Sequence, residues 1–199
     1  SVVGQYLRIG SGDVGVMFQS GTDAIEPRTT ADANRDNSIS LGATTNRFKD
    51  LYLSGGVYLG GTGDANKLED YEEGTWSPTI IGSISGSVST MTVNKASYTK
   101  VGKQVNIYTY ITGADVSGSF SGGILIGGLP FTSTSYEQGV TVSYCNMFSF
   151  DQADISISGY IDNVGIRLHR GSSIVPVADG DLAGTNQAIM LHASYQTNS

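Results

Sequence analysis

The residues of this chain that could carry chemistry are two histidines, a set of aspartates in turn-rich stretches, and one short Asp/Asn cluster. Each is tested by what its chemistry demands. A serine nucleophile needs a histidine base held by a carboxylate. His169 and His192 both stand within alternating, strand-like runs, and no G-x-S-x-G elbow precedes a helical pattern. Glycoside hydrolysis needs two carboxylates held at a fixed separation across a sugar. Glu69, Asp70, Glu72 and Glu73 are close in sequence, but nothing around them would desolvate one and raise its pKa. Asp151, Asp154, Asp162, Asp179 and Asp181 fall in expected loops and could pair across a groove, which keeps polysaccharide cleavage as the alternative. Asp32, Asn34 and Asp36 match the first ligand positions of an EF-hand loop. The match then breaks, with Asn37 where Gly is wanted and Ala43 where the bidentate Glu belongs. A turn held by Asx side chains is the better account. GSGDVG, GGVYLGG and GGILIGG lack the lysine and the strand-to-helix context of a phosphate loop. No catalytic residue, metal ligand or cofactor is therefore assigned.

Aromatic recognition is better supplied. The chain has 11 tyrosines and a single tryptophan, Trp76. Flat amphipathic rings stack on sugar faces and lose little rotamer freedom in doing so. Tyr136, in the Ser/Thr-rich loop TSTSYEQ, together with Tyr108, Tyr110 and Tyr144, are the candidate receptor contacts. Trp76, just before an expected strand, reads as core.

The elements that must position these residues are strands. Lys103 to Ile111 alternates, with Val105, Ile107, Thr109 and Ile111 on one face and Asn106, Tyr108 and Tyr110 on the other. Val164, Ile166 and Leu168 alternate with Gly165, Arg167 and His169, and Ile189, Leu191, Ala193 and Tyr195 with Met190, His192 and Ser194. Further strands are expected at 77–81, 89–93, 123–126, 140–148 and 155–161, punctuated by Gly and Asp-Asn turns at the spacing of sandwiches and barrels. No stretch of residues 75–199 sustains a helical period.

Upstream the texture changes. In residues 37–61, Ile39, Leu41, Leu51, Leu53, Val57 and Leu59 sit in very short apolar runs separated by Gly, Ser, Thr and Asn. Runs this short bury too little surface to offset their ordering entropy, so their apolar faces are expected to meet identical chains. A single helical turn competes at 46–53, where Phe48, Leu51 and Tyr52 share a face. VGQYLRIGSG and GVYLGGTG echo one another. The expected organisation is an intertwined shaft and collar over 1–66, an acidic linker over 67–74 (KLEDYEEG), and an antiparallel β-sandwich, jelly-roll-like, over 75–199.

Composition narrows the partners. Net charge is -7 and the pI near 4.6, which disfavours nucleic acid and anionic membranes. Charged residues make up only 15%, so Ser, Thr, Asn, Gly and Tyr must build much of the surface. Cys145 is alone, so no internal disulfide forms, and no apolar run reaches the length of a membrane span. The chain opens on Ser rather than Met, which leaves room for sequence upstream.

One resemblance organises these readings. Asp36-Asn37, Ile39, Leu41-Gly42, Arg47-Phe48-Lys49-Asp50-Leu51-Tyr52 and Ser54-Gly55-Gly56-Val57-Tyr58 follow a pattern that resembles tailed-bacteriophage tail fibre and tailspike proteins. Tyr71-Glu72-Glu73-Gly74-Thr75-Trp76, YTKVGKQV at 98–105 and GGLPFTS at 127–133 are similar to the start and middle of the head in such proteins. The resemblance covers most of 36–133. It implies a homotrimeric fibre tip in the virion, joined to other tail proteins, whose head binds a host cell-surface glycan without catalysis. The alternatives are a depolymerising tailspike and a purely structural trimerisation or capping module.

Overall fold

A computed structural model describes residues 6–115, 120–134, 138–147, 157–170, 175–176 and 186–198. The regular secondary structure of the described residues is all β, as the alternation predicts, apart from one short 3-10 turn at Asp64–Asn66. The chain divides into two compact units, Ser1–Ser54 and Gly55–Ser199. The division falls earlier than the boundary at residue 66 that composition suggests.

The first unit holds a three-stranded antiparallel meander: β1 (Tyr6–Ser11), β2 (Val14–Gln19) and β3 (Ala24–Arg28). Gly12, at φ +57°, turns the first hairpin, a conformation a side chain resists. The polar stretch after β3 belongs to the same unit. Asp32 salt-bridges Arg8 at 2.7 Å and lies 3.7 Å from Arg28, and Thr30 N–H and hydroxyl both bond the Gly12 carbonyl. This is what the Asp32/Asn34/Asp36 cluster does: the Asp32 carboxylate is taken up by arginines. The helical turn that competes at 46–53 does not form. Phe48, Leu51 and Tyr52 are strongly exposed, so a helix there has no surface to bury its face against, and Ala43 and Asn46 close a small turn instead. Of the short strands expected in 37–61, only one is present, the Val57–Tyr58 strand of the second unit.

The second unit contains β4 (Val57–Tyr58) and β5 (Lys67–Leu68), which pair with each other, and one ten-stranded antiparallel sheet. That sheet is built from β6 (Tyr71–Thr75), β7 (Thr79–Gly82), β8 (Thr92–Val101), β9 (Gln104–Ala114), β10 (Ile124–Gly127), β11 (Gln138–Cys145), β12 (Ile157–Ile161), β13 (Ile166–Arg170), β14 (Val175–Pro176) and β15 (Gln187–Gln196). The order is β6-β8-β9-β15-β11-β12-β13-β10-β7, with β14 beside β13. β6 and β7 stand at opposite ends of this path yet are joined by only Trp76, Ser77 and Pro78, so the sheet must curl on itself. Strand β11 forms the corner. Its first residues pair with β12 and the rest with β15. The all-β head is thus one continuous curled sheet, whose inner face is a common core.

The core draws on both halves. Val105, Ile107 and Ile111 of β9 and Ile189, Leu191, Ala193 and Tyr195 of β15 share a cluster with Ile80, Ile124, Ile126, Ile161, Ile166 and Leu168. Each fully buried aliphatic contributes about 1.5–3 kcal/mol. Trp76 is core, as its position suggests, and its indole N–H donates to the Tyr108 carbonyl at 3.2 Å.

The acidic run expected as a linker is instead built into this unit. Tyr71–Thr75 is an edge strand paired residue for residue with β8, and each carboxylate of the run has a partner. Lys67 reaches Glu69 at 2.6 Å, and Lys100 bonds Asp70. The hydroxyls of Tyr98 and Tyr71 donate to Glu72 and Glu73, which raises both phenol pKa values.

Candidate functional site

The register of β8, β9, β15 and β11 decides which side chains share the outer face of the sheet. In β9, Val105, Ile107, Thr109 and Ile111 are buried and Tyr108 and Tyr110 are half-buried on the other side, as the alternation predicts. One cross-strand row runs Ser97, Tyr108, His192, Thr141, and the next runs Lys95, Tyr110, Met190, Tyr144. Neighbouring side chains in such a row lie roughly 4.5–5.5 Å apart.

Two irregularities make the second row possible. Simple alternation along β11 would place Tyr144 on the same side as Val140 and Val142, which face the core. A register shift between Val142 and Tyr144 inserts one extra residue, and Tyr144 emerges half exposed. A second shift, between Val93 and Lys95, places Lys95 opposite Tyr110. The Lys95 ammonium lies 5.5 Å from the centre of the Tyr108 ring.

Beyond Tyr108 the face becomes polar. Asn106 lies between Thr99 and Ser194. Gln104 bonds the Ser194 hydroxyl and the Tyr195 carbonyl, and Gln196 bonds Gln104. Aromatic faces next to a lawn of amides and hydroxyls suit a carbohydrate, whose rings carry apolar faces and hydroxyl edges. The structure thus brings together Tyr108, Tyr110 and Tyr144. Tyr136 lies outside the described residues. Lys95, Met190 and His192 join the face through register, which composition alone could not supply.

The carboxylates and histidines weighed for catalysis have other surroundings. Asp151, Asp154, Asp179 and Asp181 lie outside the described residues. Asp162 is buried and accepts N–H bonds from Val164 at 2.8 Å and Gly165 at 3.0 Å, and it pairs with Arg167. Burial pushes its pKa up, but the Arg167 hydrogen bond and the two backbone donors outweigh this and hold it below the usual value. Asp162 staples the β12–β13 turn. His169 is buried with its ring 5.1 Å from that of Tyr160. Burial first, and Arg167 second, lower its pKa. Burial pushes the Cys145 thiol up to about 12, which leaves it a neutral, core-packed side chain.

Among the described residues, no group of three or more His, Cys, Asp or Glu is arranged to hold a metal ion. Compared with family profiles, curated proteins and solved structures, the chain matches none. The likeness to tail fibres rests on the residues quoted for it.

Proposed function

We propose that this chain is the tip of a bacteriophage tail fibre, and that it attaches the virion to a bacterial surface by binding a glycan without cleaving it. The observation that carries the reading is the outer face that brings Tyr108, Tyr110 and Tyr144 together in two adjacent cross-strand rows, with Lys95 and His192 among them. Stacking on such rings is shallow and sequence-tolerant, and each contact is weak. Presentation in several copies multiplies weak contacts into stable attachment. The fibre is a homotrimer, a reading supported by the resemblance over 36–133 and by the exposure of Leu41, Phe48, Leu51, Leu53 and Leu59 in a single chain.

The test is adhesion of the labelled full chain to a panel of bacteria before and after treatment of the cells. Periodate, which destroys vicinal diols, is expected to abolish binding, whereas protease treatment leaves it intact. Loss on protease treatment alone would replace the glycan with a protein receptor. Release of oligosaccharide from bound polysaccharide would restore the depolymerase reading.

A further inference from the structure

The first unit presents two faces of opposite character, and only one is covered. Strand register places Leu7, Phe18 and Ile25 in one row and Ile9, Val16 and Pro27 in the next, with Val14 beyond them. Leu7, Ile9, Val14, Val16, Phe18 and Ile25 are 37% to 66% exposed. No charged residue falls on this side of the register. The opposite face carries Arg8, Met17, Glu26 and Arg28, and there Met17 is 1% exposed. Its charges are consumed internally, by Arg8 with Asp32 and Arg28 with Glu26, the latter at 2.7 Å.

We infer that the apolar face of β1–β3 is a self-association surface, covered in solution by the same face of further copies of this chain. Charge complementarity selects the occupant. A surface without charge offers nothing to an anionic membrane or a charged peptide, whereas an uncharged apolar sheet face is complementary to itself. The β3 edge is closed to strand addition. Pro27 has no N–H, its carbonyl accepts from Arg35 N–H, and Arg28 bridges Asn34. With that edge closed and the apolar face open, the inferred association runs face to face, at the roughly 10 Å separation of packed sheets. This deepens the oligomeric part of the proposed function by naming the surface. It lies outside the 36–133 stretch that carries the family likeness, and it does not depend on what the sheet of the second unit binds.

The experiment uses the full chain in a Cys145→Ala background, with one cysteine placed at Val16, on the apolar face, or at Gln19, on the opposite one. A bismaleimide of about 10 Å span is expected to link copies of V16C into covalent oligomers and to leave Q19C unlinked. Light scattering is expected to show an oligomer for the unsubstituted chain and a smaller species for Phe18→Glu. An oligomeric chain in which V16C links no better than Q19C overturns this surface while leaving the oligomer intact. A folded monomer at every concentration overturns both. If Phe18→Glu fails to fold, the cross-linking comparison still decides.

Discussion

Lys100 is a lysine buried almost completely. Its side chain is 2% exposed, its ammonium bonds the Asp70 carboxylate, and it sits 5.3 Å from the centre of the Phe131 ring. Asp70→Asn keeps the shape, and Asn tolerates the φ of +58° found there, but it removes the countercharge of a buried cation. A loss of about 2 kcal/mol is expected, read as a lower urea midpoint at unchanged slope. An unmoved midpoint would show that water reaches the ammonium. Tyr195 is a second such anchor. Fully buried, its hydroxyl accepts from Phe131 N–H at 3.3 Å and donates to the Phe131 carbonyl at 3.0 Å, and burial raises its pKa to about 12. Tyr195→Phe should cost about 1–2 kcal/mol, and the same denaturation series measures it. His169 supplies the pH dependence. Its folded pKa lies below the ordinary 6.5, so the unfolded chain binds the proton more readily. Its contribution is therefore complete above 6.5 and is lost as pH falls toward the folded value. Urea midpoints taken between about pH 7 and pH 5 should fall for the native protein and fall less for His169→Gln.

At the scale of elements, what could be read in advance was what obeys a period of two. The faces of β9 and β15 were legible because the inward positions are apolar apart from Thr109 and both strands run long in one direction. Tyr144 was legible as a candidate but not as a neighbour of Tyr110, because a one-residue bulge reverses the alternation and carries no signature in VSYC. The acidic strand β6 was hidden for a related reason. Tyr-Glu-Glu-Gly-Thr has no apolar face, and its place in the sheet comes from partners on β8 that are distant in sequence. The continuity of the sheet was equally invisible, since it depends on β11 pairing two ways. The link from β6 to β7 gives an element-level prediction. Gly128 has φ +80°, and a Cβ there would collide with the Ser77 carbonyl beside Pro78. Gly128→Ala is expected to cost about 2–3 kcal/mol, because strain and steric displacement add. A thermal melt within a degree of the parent would contradict that packing.

Across the whole molecule, the proposed function rests on two kinds of uncovered surface. Exposed apolar side chains are concentrated in residues 7–59, outside the common core, and in the proposed fibre they meet other copies of the chain. The half-exposed tyrosines lie on the back of a sheet whose other side packs into the core, so the strands that present them are held rigidly. Rigid aromatic platforms need no ordering on contact, and they suit ligands whose binding energy per site is small. The most direct test of this division is to probe an array of bacterial surface polysaccharides with the full chain and with a Tyr108→Ser, Tyr110→Ser, Tyr144→Ser variant of matched urea midpoint. The parent is expected to bind at least one polysaccharide, and the variant to bind it at least about tenfold more weakly, the loss of stacking contacts. Equal binding by the two proteins, or no binding by the parent, would contradict the assignment of this face.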